Sequence, residues 1–248
     1  SHQAMQDWGW RLPFLLGGVI FFSGLWLRRN MIESPEFEQA ARSGQLQKNP
    51  LWEAISTHKA VILHLMATLL VFASSFYLLF VWMPTYLGKI LQPPVPHALA
   101  INTLSLVVLI AVIPLAGALS DRIGRRPIIV TATLMLAVLV YPLFLWIDGG
   151  TLMAALIAQL IFAVLVGCIQ GPFPAFMVES FPPQSRSSAI GLSYNVTLAI
   201  FGGTTPLIAT WLIDQTNDLA SPAIYVAVLG ILSALALLIR RRAEPGSR

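Results

Sequence analysis

The residues best equipped for chemistry lie together in Gly117-Ala-Leu-Ser-Asp121-Arg122-Ile-Gly124-Arg125-Arg126-Pro127. One carboxylate and three guanidinium groups fall there between two long apolar runs. A carboxylate beside arginines makes strong charge-assisted hydrogen bonds. Gly117 and Gly124 leave the backbone free to turn or to approach a neighbour closely. Such a cluster cannot sit in hydrocarbon, where a central Arg or Asp costs roughly 2.5 kcal/mol or more even on lenient scales. It therefore reads as a tight hairpin, about residues 120–127, at a membrane surface. Short loops that keep Lys and Arg stay cytoplasmic, so the hairpin is placed inside. Glu179 and Arg186 flank the next cytoplasmic turn and are expected to form an analogous pair.

Within the apolar runs the chemistry is polar and uncharged. No Asp or Glu falls in the middle of a run, which leaves His64 as the candidate proton site. Its side chain has a suitable intrinsic pKa, although a lone histidine near the end of a span is more often a packing residue. Ser74 and Tyr77 are spaced i, i+3, as are Asn102 and Ser105, while Gln159 and Gln170 share one helix face. Asn195, Gly202 and Pro206 align along another face. Together these residues are the candidate lining of a wet central cavity. The competing role is interhelical polar contact, worth about 0.6–2 kcal/mol each.

The elements that must position these groups are membrane helices. The chain has 248 residues, 56% hydrophobic and only 10% charged, with a mean hydropathy of +0.75. A soluble domain carries about 25% charged residues. The apolar runs are near helix-spanning length, unlike the alternating segments of a barrel. Seven spans are expected: Trp10–Leu27, Ala60–Met83, Ala98–Leu119, Ile128–Ile147, Thr151–Met177, Ala189–Ile213 and Pro222–Ile239. With the hairpin inside, 13 Lys and Arg residues fall on the inner side and two, Arg11 and Lys89, on the outer. The positive-inside rule supports that orientation, with a cytoplasmic C-terminus.

Ser34, Pro35 and Glu36 suit the start of a short helix in the polar loop 28–59, and Phe37, Leu46, Leu51 and Trp52 suit an interfacial segment. Trp8, Trp10, Trp82, Tyr86, Trp146, Trp211 and Tyr225 read as an aromatic belt at the span ends. Helix breakers lie at Pro114, Pro142, Gly171 to Pro174 and Gly202 to Pro206. The last two groups are the better candidates for interruptions beside a binding site.

The filled pattern Gly117-x3-Asp121-Arg122-x-Gly124-Arg125-Arg126 resembles the loop motif of the major facilitator superfamily. Three spans precede it and four follow, so the resemblance implies an all-α polytopic bundle equivalent to helices 6–12 of that fold. Residues 1–29 would be an orphan sixth helix, 30–59 the cytoplasmic connector between halves, and 60–248 the C-terminal six-helix bundle. Trp8-Gly-Trp10-Arg11-Leu-Pro13-Phe14, Glu33-Ser-Pro35-Glu36-Phe37, Glu179-Ser-Phe181-Pro182 with Arg186, and Phe201-Gly-Gly203-Thr-Thr-Pro206 are similar to the metabolite–proton symporter branch. Those carriers move citrate, 2-oxoglutarate, shikimate, proline or betaine across bacterial inner membranes.

The resemblance implies a secondary transporter working by rocker-switch alternating access, not an enzyme. Its implied partners are a small solute, a proton, the lipid bilayer and an N-terminal half that this chain lacks. Isolated, the chain is expected not to transport. Its start at Ser1 suggests a piece of something longer.

A heptahelical receptor or retinal protein shares the helix count. Lys48, Lys59 and Lys89 all fall outside the spans, however, which leaves no lysine for a Schiff base. The single cysteine, Cys168, permits no intramolecular disulfide and no multi-cysteine metal site, and no cofactor is expected. Basic residues spread over loops give no nucleic-acid patch.

Overall fold

The computed structural model describes residues 7–30, 50–181 and 183–239. Every regular element among them is helical, as required where backbone groups facing lipid must be satisfied within their own segment. The chain divides into two units, Ser1–Leu46 and Gln47–Arg248. The first contains α1 (Leu12–Asn30), whose large apolar side chains, Phe14, Ile20 and Phe22 among them, are exposed.

The second unit holds six helices long and apolar enough to cross a membrane. They are α2 (Ile55–Ile90), α3 (Ala98–Ile123), α4 (Arg125–Asp148), α5 (Leu152–Glu179), α6 (Arg186–Thr216) and α7 (Ser221–Leu238). The remaining expected span, Trp10–Leu27, corresponds to α1, whose apolar stretch Phe14–Leu27 is shorter than any of the six. The connector residues Ser34, Pro35, Glu36, Phe37 and Leu46, and the tail arginines Arg240, Arg241 and Arg242, lie outside the described residues.

In the bundle α3 packs on α5, α5 on α4, α4 on α7, α7 on α2, and α2 on α6. Burial identifies the centre: 61% of the apolar window of α2 is buried, against 22% for α3 and for α6. Leu65, Leu69, Leu78, Leu79, Met83 and Leu87 carry α2 through the core. α7 fits closely between two partners. A Cβ at Gly230 would lie 3.2 Å from Ala137 Cβ on α4. The buried Ser233 hydroxyl accepts from Val71 N–H and donates to Ala67 C=O, each at 3.0 Å, and so inserts into the backbone ladder of α2.

Several helices depart from regular winding. α2 widens into π-helical turns at Tyr77–Trp82 and Tyr86–Ile90, and α6 does so at Leu198–Gly202. α5 breaks at Gly171 and Pro172 before resuming at Phe173. A proline ring clashes with the carbonyl four residues earlier. For Pro84 and Pro206 those carbonyls belong to Phe80 and Gly202, each inside a π stretch. Pro114 and Pro142 instead lie within uninterrupted α-helix.

α2 is longer than its expected span. Helix already begins at Pro50, within the stretch read as connector, and bends at His58. At its far end it continues to Ile90, which corrects part of the aromatic belt. Trp82 and Tyr86 are buried core residues, stacked with centroids 5.0 Å apart, and Tyr86 leads on to Phe144 at 5.3 Å. Trp146 and Trp211 are exposed, as belt residues would be.

Candidate functional site

The hairpin is tighter than the eight residues expected of it. α3 runs to Ile123 and α4 starts at Arg125, so Gly124 alone leaves the helix. It does so at φ 97° and ψ 151°, a region that glycine enters without steric cost. Its N–H donates to Ser120 C=O at 2.9 Å. The helices can extend this far because charged side chains at their ends reach water beyond the hydrocarbon.

This turn aims Arg125 at two neighbours. Its Nη1 donates to Asp121 Oδ1 and, at 2.8 Å, to Ser120 Oγ. Its Nε donates to Glu179 Oε1 at 3.2 Å. One guanidinium thus joins α3, α4 and the end of α5. Ser120 donates in turn to Gly117 C=O at 2.6 Å, and Arg126 lies over the Phe176 ring at 5.6 Å. Ser120, Asp121, Gly124, Arg125, Arg126, Phe176 and Glu179 line a recess of about 350 Å³.

The partners differ in part from those expected. Glu179 pairs with Arg125, while Arg186 Nε donates to Phe181 C=O at 3.3 Å. Arg122 is exposed and has no hydrogen bond or ion pair among the described residues. Close approach of α3 to α5 is set by Gly171 and Gly167. A Cβ on Gly117 would meet Gly171 C=O at an ordinary 3.6 Å.

A second recess, about 210 Å³, lies at mid-depth between α2, α5 and α6. Phe72, Ala73, Phe76 and Tyr77 line it with Gln170, Tyr194 and Leu198. Each irregular helix contributes at its point of departure. Tyr77 opens the π stretch of α2, Gln170 is the last residue before the α5 break, and Leu198 opens the π stretch of α6. Gly202 belongs to the same region, since a Cβ there would lie 2.9 Å from the Tyr77 ring.

The family model described as Major Facilitator Superfamily matches residues 4–204 and, in a second alignment, 99–248. The chain belongs to the major facilitator superfamily. With six membrane-length apolar helices, it is an integral membrane protein. It is 30% identical to the proline/betaine transporter of Salmonella typhimurium over 93% of this chain and 48% of the relative. It is 33% identical to the ectoine/proline transporter of Corynebacterium glutamicum over 95% of this chain and 49% of that protein. It is 31% identical to the citrate-proton symporter of Klebsiella pneumoniae over 97% of this chain and 54% of the symporter. The chain thus spans about half the length of the curated relatives it matches. No solved structure matches it significantly. These relatives are transporters of the branch to which the sequence resemblance pointed.

The other candidate residues of this superfamily member are dispersed. Tyr77 and Gln170 share the mid-depth recess. Ser74 is buried and donates to Leu70 C=O at 2.8 Å within its own helix. Asn195 is exposed and donates to Gly191 C=O at 2.7 Å. Pro206 is half-buried and its carbonyl accepts from Thr210 Oγ1 at 2.9 Å. His64 is half-buried on α2. Asn102, Ser105 and Gln159 form a separate buried patch. There Gln159 Nε2 donates to Asn102 Oδ1 at 3.3 Å across the α3–α5 contact, and Ser105 donates to Asn102 C=O at 2.8 Å.

That amide pair makes a direct prediction. A double-mutant cycle with Asn102→Leu and Gln159→Leu, read by unfolding in mixed micelles, is expected to give a coupling of about 0.6–1.7 kcal/mol. Strict additivity would mean the pair contributes nothing. Phe72, Phe76 and Tyr194 escaped the sequence reading because half-buried aromatics in an apolar run give no signal of their own. Their signal was position, within a turn or so of Tyr77 or Asn195.

Proposed function

We propose that this chain is the C-terminal half of a proton-coupled secondary transporter of a small polar metabolite, an organic acid or a zwitterionic osmolyte. It works by rocker-switch alternating access in a bacterial inner membrane, with the hairpin and the C-terminus cytoplasmic. The observation that carries this reading is the single guanidinium of Arg125 joining α3, α4 and α5 at the hairpin. Exposed ion pairs stabilise a fold little; Asp121 and Glu179 are 64% and 50% exposed. A clasp of that kind is suited to biasing two states, not to holding a structure together. Closed, it keeps the helix ends together on the cytoplasmic side and favours an outward-facing state; released, it lets the halves rock. The dispersion of basic residues supports the orientation, and the names of the relatives support the solute class.

The relevant experiment measures uptake in cells producing the chain joined to the five helices that would precede α1 in a twelve-helix carrier. Labelled proline, glycine betaine and citrate are offered with and without a protonophore. Accumulation of one of them, collapsed by the protonophore, is the expected result. Uptake of none would remove the carrier reading, and uptake indifferent to the protonophore would remove proton coupling. Labelling of a cysteine at Arg122 only from the cytoplasmic side checks the orientation.

A further inference from the structure

We propose that Phe173 and Phe176 are positioning residues through which the cytoplasmic clasp and the bundle interior are coupled, an assignment that rests on the carrier reading and links its switch to its interior. Both rings stand on the last piece of α5, the segment Phe173–Glu179 beyond the break at Gly171 and Pro172. Phe176 is buried beneath the Arg126 guanidinium, and Phe173 is fully buried. The two rings meet edge-on with centroids 5.6 Å apart at 74°. Phe173 then meets Phe72 of α2 at 5.1 Å, and Phe72 meets Tyr194 of α6 at 5.9 Å. Every step lies within the roughly 4.5–7 Å of a favourable aromatic pair. A line of packed rings therefore runs from the clasp to the lining of the mid-depth recess, where Phe72 and Tyr194 stand.

The backbone makes the segment a lever. Up to the break α5 is pinned to α3, because Gly167 and Gly171 bring the two helices so close that neither has room for a Cβ. Proline lacks the N–H that continues a helical ladder. Pro172 and Pro174 thus withdraw the donors due to the Cys168 and Gln170 carbonyls. The ladder starts afresh with Phe176 N–H donating to Pro172 C=O at 3.1 Å. A segment joined so thinly to its own helix takes its direction from its side chains. Phe173 and Phe176 hold it from the interior, and Glu179, one turn past Phe176, holds it at Arg125. Gln170, the residue before the pivot, lines the recess.

Close-packed interiors pass a displacement on instead of absorbing it. Movement of Phe72 therefore turns the segment about Gly171, and withdraws Glu179 from Arg125 and Phe176 from Arg126 together. Those two arginines are neighbours in the first turn of α4. Coupling is reciprocal, so opening the clasp loosens the rings at the recess. Phe162, an equally buried ring on α5 before the break, packs on Phe144 of α4 and lies outside this line.

The test uses the whole chain in lipid nanodiscs, with Cys168 replaced and Ser120→Cys as the reporter of the clasp. Its alkylation rate is expected to rise about fivefold or more in Phe72→Leu and in Phe173→Leu, although Phe72 stands at the far end of the line. Phe162→Leu removes an equally buried ring and should leave the rate unchanged. Phe72→Leu combined with Arg125→Gln should label no faster than Arg125→Gln alone, because both open one contact. In the other direction, protein carrying 3-fluorotyrosine should show the Tyr194 fluorine resonance, assigned with Tyr194→Phe, shifted by Arg125→Gln while that of Tyr225 stays in place. If Phe173→Leu does not fold, Phe72→Leu, at a half-buried position, decides alone. An unchanged rate in Phe72→Leu, an equal rise in Phe162→Leu, or a Tyr194 resonance indifferent to Arg125→Gln overturns the assignment. The carrier reading fails separately. Coupled rings in a chain whose rebuilt carrier accumulates no solute leave the lever standing and remove transport. Uptake that Phe72→Leu and Phe173→Leu leave unchanged, with Ser120→Cys still protected, keeps transport and removes the lever.

Discussion

Gly171→Val should prevent the bundle from assembling, with loss of folded protein and of every activity that depends on it. A side chain at this position has nowhere to go. An ideal Cβ would fall well inside contact distance of Ile113 C=O, and at 3.0 Å from both Ala116 Cβ and Gly117 N. Two of those neighbours are backbone atoms of α3, which cannot rotate aside as a flexible side chain would. Overpacking a well-filled site typically costs 1–3 kcal/mol, and here a whole helix must retreat, so about 3 kcal/mol is expected even for Gly171→Ala. The α3–α5 contact also carries Gly167, where a Cβ would lie 2.6 Å from Val112 Cγ1, so the displaced helix loses a second close contact. Gly191→Ala is the control. Nothing lies within 4 Å of the point its methyl group would occupy, and alanine gains up to about 1 kcal/mol of helix propensity. Thermal unfolding in detergent, read as the monodisperse fraction against temperature, separates the two. A Gly171→Ala protein that melts with the parent would show that α3 and α5 do not approach as closely as described.

What the sequence made legible follows from where each property is decided. Span positions and the breaks at Gly171 and Gly202 were readable because hydrocarbon thickness, charge and proline act locally. The identity of the clasp was half readable. Asp121 and Arg125 lie within a few residues of each other, but the partner of Glu179 is 54 residues away in sequence, and only the packing of α4 against α5 delivers Arg125 to it. Trp82 and Tyr86 were misplaced because Pro84 and Lys89 look like the end of a span, whereas α2 absorbs the proline as a π turn and continues. Asn102 and Gln159 share helix faces with other polar residues. Periodicity fixes a face but not what that face meets, and here the two amides meet each other. The mid-depth recess was legible only in part. Tyr77 and Gln170 were expected to line a cavity, but Tyr194 of α6 joins them and the neighbouring rings of α2 only when α2, α5 and α6 converge.

In the carrier proposed above, rebuilt with its missing helices, Arg125→Lys should abolish most transport while leaving insertion and protein level unchanged. Lysine keeps the charge but presents a single ammonium, whereas Arg125 uses Nη1 toward Ser120 and Asp121 and Nε toward Glu179. It cannot hold α3 and α5 together. A coupling between states is typically worth 5- to 150-fold in the equilibrium, so uptake is expected to fall about tenfold in Arg125→Lys and further in Arg125→Gln. Asp121→Asn should also cut uptake, because it removes the charged acceptor on α3. Because Asp121 and Arg125 belong to one contact, the double variant Asp121→Asn, Arg125→Gln should be little worse than Arg125→Gln alone. Arg122→Gln, in a side chain with no partner among the described residues, should transport nearly as the parent does. A readout independent of transport distinguishes a released clasp from a damaged helix. Ser120 is 1% exposed beneath the guanidinium, so in a background with Cys168 replaced, Ser120→Cys should resist alkylation. Adding Arg125→Gln should raise its labelling rate severalfold at unchanged melting temperature. Labelling that stays slow, with uptake still abolished, would mean that Arg125 acts on the solute or the partner half and does not hold these three helices closed.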